Sequence, residues 1–176
     1  MIREYRYKYD RTVWYITAIH FVVFGVLVWL SLLMFDGGYV TAWFVSLICA
    51  VIALMVLSIP RRVVLTESSV EIFCISDYTD IPYGEVVSVR SVGAAETRWF
   101  IPLFATFGFF GYYGYYLNLR KMEVVTVYSS CWKGMVEITD IYDDKYYISC
   151  EQAEEFVNLL RRQLGTGEED MLQQTT

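Results

Sequence analysis

Residues 99–118, WFIPLFATFGFFGYYGYYLN, form a stretch of twenty residues without a charge. By length alone such a segment could cross a bilayer as a helix, which needs about 20 apolar residues. Pro102, Gly108, Gly111 and Gly114 disfavour a regular helix, and four tyrosines crowd its second half. Arg90 and Arg98 on one flank balance Arg120 and Lys121 on the other, so charge assigns no orientation. Strand-like runs lie on both sides, and a crossing here would divide one sheet between the two faces of a membrane. The favoured reading is therefore a buried strand and glycine-rich turn inside a domain, with a third span at 99–118 as the alternative. Between them stands a reading in which some of its aromatic rings touch the membrane surface. The three glycines lack a Walker lysine and the dinucleotide spacing, and their three-residue interval is not GxxxG.

Upstream, Val63 to Leu65 and Val70 to Ile75 flank Thr66, Glu67, Ser68 and Ser69, the pattern of a β-hairpin. Val86 to Val92 gives a strand after the Pro82 turn. Downstream, Glu123 to Tyr128, Met135 to Tyr142 and Lys145 to Ile148 give three more, with alternation that leaves apolar groups on both faces. An antiparallel sheet covered on both sides is expected. Ser149, with Gln152 three residues on, is the expected helix N-cap. Ala153, Phe156, Val157, Leu160 and Leu164 then form one apolar stripe, with Glu residues in the first turns and Arg161 and Arg162 in the last. Residues 165–176 are polar and acidic and read as a disordered tail.

Further upstream lie two uncharged runs, Val13–Met34 and Tyr39–Ile59, joined by Phe35, Asp36, Gly37 and Gly38. The first would be about 33 Å long as a helix, against a hydrocarbon core of roughly 30 Å. The short link implies an antiparallel transmembrane hairpin, ended by Pro60. No small-residue cleavage site precedes Asp36, which disfavours a signal peptide. Arg3, Arg6, Lys8 and Arg11 precede the hairpin and Arg61 and Arg62 follow it, whereas its loop carries no basic residue. Both termini are thus expected in the cytoplasm. The domain plan is a basic N-terminus at 1–12, the hairpin at 13–59, a β-rich domain at 60–164 and the tail at 165–176. His20, inside the first run, is best read as a neutral imidazole bonded to a backbone carbonyl or to Thr17, since no relay partners for a proton path accompany it.

The whole chain of 176 residues is 56% apolar and contains 31 aromatic residues, with a net charge of −6. That composition excludes disorder and gives no support to nucleic-acid binding, which depends on neutralising phosphates. With the only His in a span, no His-based catalytic dyad is available to the β-rich domain. Cys49, Cys74, Cys131 and Cys150 contain no CxxC pair, so they read as structural thiols and not as zinc ligands. Glu137, Asp140, Asp143 and Asp144 are weighed as a cation site against the more ordinary solvated turn. No catalytic residue, metal or cofactor is assigned.

A run of strands closed by one amphipathic helix resembles the pleckstrin-homology superfold. Ile81-Pro82-Tyr83-Gly84-Glu85-Val86, Phe110-Gly111-Tyr112-Tyr113-Gly114, Tyr128-Ser129-Ser130 and Tyr146-Tyr147-Ile148-Ser149, followed by the Phe156 helix, resemble the bacterial PH-domain family over residues 61 to 164. Ile101-Pro102-Leu103-Phe104 departs from it, standing where small Gly and Ser residues are expected after Arg98. The resemblance implies an α+β chain: a transmembrane helical hairpin, then a PH-like antiparallel β-sandwich or barrel closed by a C-terminal helix. It implies a non-catalytic binding or scaffolding module at the cytoplasmic face of a bacterial inner membrane. The alternative is a subunit of a membrane transport or assembly complex with the third span. The expected partners are the bilayer itself, and a membrane protein or a second copy. Phosphoinositide is disfavoured because the first hairpin loop, Thr66 to Ser69, has no cation. Candidate contact residues for partner or membrane are Arg98, Phe110, Tyr112, Tyr113, Arg120 and Lys121.

Overall fold

Apolar periodicity at the two ends of the chain governs how its strands assemble. The computed structural model describes residues 3–7, 10–76, 78–149 and 152–174. The N-terminal segment, read above only for its charge, places Tyr5 and Tyr7 on one face with Arg6 between them, a period of two. It forms strand β1 (Arg3–Arg6). Helices α1 (Arg11–Phe35) and α2 (Tyr39–Leu57) follow, and the chain returns as β2 (Pro60–Leu65). β1 and β2 pair antiparallel, with Arg3 opposite Leu65 and Tyr5 opposite Val63. The helical hairpin is therefore an insertion between two neighbouring strands of one sheet, and its two feet stand side by side.

Both helices are long and apolar enough to cross a membrane, and almost all of their side chains are left uncovered by the rest of the chain. The turn between them holds Asp36 and Gly37 at φ +47° and +69°, and the Gly38 N–H closes onto the Phe35 carbonyl at 2.9 Å. The Thr41 hydroxyl donates to the Ser31 carbonyl at 3.2 Å, and Phe35 stacks on Phe44.

The first sheet continues through β3 (Ser69–Cys74) and β4 (Tyr78–Pro82), in the order β1-β2-β3-β4. The second sheet contains β5 (Val86–Val92), β6 (Phe100–Phe107), β7 (Tyr112–Asn118), β8 (Glu123–Ser129), β9 (Met135–Asp140) and β10 (Lys145–Ser149). Its order is β5-β9-β10-β8-β7-β6. A short helix α3 (Ala94–Thr97) lies between β5 and β6, and α4 (Ala153–Gln174) ends the chain. The result is α+β, consistent with a PH-like fold.

Several expectations need correction. The stretch 99–118 takes the favoured strand-and-turn form and not the alternative span, with β6 and β7 an antiparallel pair about Gly108–Gly111. However, β6 is largely exposed where a buried strand is expected. The second sheet is not wholly antiparallel, because β8 lies parallel to β10, with Thr126 opposite Tyr146 and Tyr128 opposite Ile148. β9 is already held between β5 and β10, so the outer edge of β10 is what remains for β8. The described pairings leave both sheets open and do not close a barrel. Ser149 is the last residue of β10 and its Oγ accepts from the Ser130 N–H at 2.8 Å, so it caps no helix. α4 also runs past Leu164 to Gln174, where a disordered tail was expected.

Two cores result. Val63, Val70, Ile72 and Ile81 of the first sheet pack against Val89, Val136, Ile138 and Ile148 of the second. Phe156, Val157 and Leu160 of α4 complete that core, as their stripe foretells, and Arg161 donates to the Val89 carbonyl to hold the helix on β5. On the opposite face of the second sheet, Phe100, Tyr112, Tyr116, Val125, Met135 and Tyr147 gather around Val13 of α1. β9 is buried on both faces, which is why its alternation is blurred.

Tyr5, 7% exposed, meets Phe156 edge-on with ring centroids 5.3 Å apart. Tyr5→Ala is expected to cost about 3 kcal/mol, typical of truncating a buried aromatic, and to lower the melting temperature of the detergent-solubilised protein measured by near-UV circular dichroism.

Candidate functional site

The β6–β7 pair forms a ribbon whose two ends have different chemistry. Across it Phe107 opposes Tyr112, Ala105 opposes Gly114 and Phe100 opposes Asn118, with an irregularity between Pro102 and Phe104. Gly114 is at φ +110°, and a Cβ there would meet Ala105 Cα at 2.8 Å, so the ribbon's irregular register requires glycine.

At one end the turn Gly108–Gly111 docks on α1. The Thr17 hydroxyl donates to the Gly108 carbonyl at 3.0 Å and accepts from the Phe110 N–H at 2.9 Å. Phe110 meets Trp14 and Phe21 edge-on, and Phe109 packs on Phe21 and His20. Gly108, at φ +80°, lies so close to α1 that a Cβ would stand 2.6 Å from Ile16 Cγ2. His20 donates from Nδ1 to the Ile16 carbonyl at 2.8 Å, the backbone bond expected of it, although Thr17 is engaged by the turn. Tyr113, on the other face of the ribbon, donates its hydroxyl to the Met55 carbonyl in the last turn of α2 at 2.6 Å. The ribbon is thus wedged between the feet of the hairpin.

The other end is charged. Arg98 lies over the Trp99 ring at 5.4 Å, and Lys121 is 3.7 Å from Glu123, which also pairs with Lys145. Arg120 and Lys121 border a pocket of about 380 Å³ whose other walls are Arg90, Glu96, Phe100, Asn118 and Tyr147. Glu137, buried on β9, is gripped by Arg90 through two bonds of 2.9 and 2.6 Å and accepts the Tyr147 hydroxyl. Arg90 also reaches Glu96 at 2.9 Å.

Burial pushes the Glu137 carboxyl up, but the hydrogen bonds from Arg90 and Tyr147 outweigh it and hold the group below its ordinary range. The Tyr147 hydroxyl is pushed up by burial and by its bond to Glu137. Two of the pocket's lining side chains, Arg90 and Tyr147, are therefore committed to the Glu137 carboxylate beside it. Asp140 does not join Glu137 in a cation site: its Oδ1 accepts the Tyr142 and Asp144 N–H groups at 2.9 Å each and shapes the β9–β10 turn. Among the described residues no three His, Cys, Asp or Glu stand together as a metal site.

The sequence-derived candidates therefore occupy two places. Phe110, Tyr112 and Tyr113 lie at the hairpin end, with Tyr112 and Tyr113 buried, while Arg98, Arg120 and Lys121 lie at the charged end. The separation is about 20 Å, the rise of a seven-residue strand. Sequence reasoning weighed Glu137 only as a cation ligand and missed its grouping with Arg90 and Tyr147. Arg90 and Glu137 face each other only through the β5–β9 register, which no local pattern discloses.

A model of the family described as Bacterial PH domain matches residues 61–164. No curated protein and no solved structure matches the chain. The family match begins at β2 and omits β1, although β1 belongs to the same sheet.

Arg90→Ala leaves Glu137 buried without its cation and is expected to cost about 2 kcal/mol at neutral pH, below the range for wholly buried pairs because the Arg90 side chain is 38% exposed. In the native protein the lowered Glu137 contributes stability above its unfolded pKa and loses it as pH falls through the folded value. In the variant burial dominates, so protonation relieves the strain. The melting difference between the two proteins should therefore narrow from pH 7 to pH 4, and thermal melts across that interval check it.

Proposed function

The chain belongs to the bacterial PH-domain family, and on that premise we propose that it is a membrane-anchored, non-catalytic binding or scaffolding module at the cytoplasmic face of a bacterial inner membrane. The observation that carries this reading is the β1–β2 pairing across the apolar hairpin. A domain whose first two strands frame the anchor cannot swing away from it on a linker. It is held at the surface in one orientation, where tethering raises its effective concentration for membrane-bound partners.

The distribution of charge supports the orientation. Arg11 and Arg61 stand at the two feet of the hairpin, and its far loop carries only Asp36. Basic residues beside short spans stay on the cytoplasmic side. The locked Arg90–Glu137 pair supports the non-catalytic reading. A phosphoinositide is a poor fit: Thr66 Oγ1 is bonded to Ser69, and residues 60–164 contain ten basic and fourteen acidic residues. A membrane protein or a second copy of the chain is the expected partner, reached through the charged end at Arg98, Arg120 and Lys121.

Topology is checked with the four native cysteines replaced by serine and one introduced at Asp36 or at the exposed Tyr142. A membrane-impermeant maleimide should label position 36 in intact spheroplasts and position 142 only after permeabilisation; the reverse pattern would overturn the orientation. For the module itself, detergent pull-downs compare the full chain with one carrying Arg98→Glu, Arg120→Glu and Lys121→Glu. Partner recovery should fall several-fold, and equal recovery would sink the assignment of the charged end.

A further inference from the structure

We propose that the β6–β7 ribbon is a third lipid-contacting element. Its Gly108–Gly111 turn sits below the headgroups against α1, and the face bearing Ile101, Phe104 and Tyr115 lies in the acyl–headgroup boundary. The proposal rests on the reading of α1 and α2 as membrane spans.

Depth is fixed by the helices. α2 has 19 residues, a length of about 28 Å that matches a hydrocarbon core of roughly 30 Å. Its last turn therefore marks the boundary, and that turn is where Tyr113 is bonded, through the Met55 carbonyl. On the other side the ribbon turn contacts Trp14, Thr17 and Phe21, all inside the uncharged run that starts at Val13. The turn is at or below the level where α2 leaves the lipid.

Backbone accounting agrees. In water the polar groups of a surface turn can be left to solvent, but in lipid each needs a partner in the protein. Here the Gly108 N–H bonds to the Gly111 carbonyl at 2.9 Å, and Thr17 serves both the Gly108 carbonyl and the Phe110 N–H. A helix side chain inside the apolar run thus serves two of the turn's backbone groups from within.

The uncovered surface points the same way. Phe104 is 86% exposed and Tyr115, its cross-strand partner, 55%. Ile101 and Val124 flank Leu117 on the same face and are also exposed. A contiguous apolar patch of this kind marks an interaction surface. It shares its face with Tyr113, so it is continuous with the lipid-facing end of α2. Lipid is favoured over a second copy adding a strand at β6, because Pro102 and the irregular register beside it spoil that edge for pairing. Arg98, Arg120 and Lys121 are confined to the opposite end, where water is required.

The test uses the full chain, with native cysteines replaced by serine, in vesicles of phosphatidylethanolamine and phosphatidylglycerol. Single nitroxide labels are placed by Phe104→Cys, by Leu30→Cys as a span reference and by Tyr142→Cys as a water reference; all three positions are exposed, so no packed group is removed. Electron paramagnetic resonance compares collision with oxygen, which concentrates in lipid, against a water-soluble nickel chelate. Labels at 30 and 104 should favour oxygen several-fold relative to 142. A label at 104 that behaves like 142 while 30 favours oxygen overturns the ribbon proposal alone; failure at 30 as well overturns the anchor reading beneath it. A label at 104 shielded from both reagents means a protein cover and also overturns the proposal. Thr17→Val, which removes both bonds to the turn, should raise nickel access at 104 several-fold and leave 30 unchanged. An unchanged 104 would overturn the claim that Thr17 holds the turn in lipid.

Discussion

The ladder between Arg3–Arg6 and Arg62–Leu65 ties together the two ends of a long apolar insertion, and the position of every later element relative to the hairpin follows from it. Closing so large a loop would ordinarily cost conformational entropy. Two helices joined by a tight turn already bring their ends side by side, so the ladder forms between neighbours. Once formed, it places Tyr5 and Tyr7 in the core beneath α4. The same buried side chains then stabilise both the domain and its attachment to the hairpin.

A second set of contacts completes the attachment. Val13 of α1 belongs to the core on the outer face of the second sheet, Thr17 is bonded into the ribbon turn, and Tyr113 reaches the end of α2. Strand pairing alone would leave the domain able to rock about one seam. Contacts on both sides of the hairpin remove that freedom, and they explain why Gly108 is needed where the backbone approaches Ile16. The charged pocket at the far end of the ribbon is thereby held away from the hairpin.

Much of this was legible from residue order. The two long apolar helices, the strands from Val63 to Ile148 and the α4 stripe follow from period and length. The bacterial PH-domain motifs named the architecture before any contact was known. Where the reading failed, a competing signal was stronger. Arg3, Arg6, Lys8 and Arg11 drew attention to charge, although Tyr5 and Tyr7 alternate as a strand requires. In 99–118 the strand and glycine-rich turn were read correctly, and glycines at φ +80° and +110° admit the turn and the register shift. The expected burial failed there because β6 is left largely exposed. Ser149 looked like a cap, yet its hydroxyl was committed to Ser130 across the loop. One local pattern also grouped candidate contact side chains that stand at opposite ends of a strand.

By itself the sequence determined the apolar hairpin, the α+β class, the family and the absence of a His-based dyad from the β-rich domain, because each depends on composition, period or short motifs. Only the tertiary structure decided that the hairpin lies within the sheet, that β8 runs parallel to β10, that Arg90 meets Glu137, and that an uncharged ribbon is clamped at the feet of the two helices. Those facts depend on pairing between residues far apart in the chain. Such pairing is selected by the combined burial and hydrogen bonding of the whole fold, and no local window of sequence contains it.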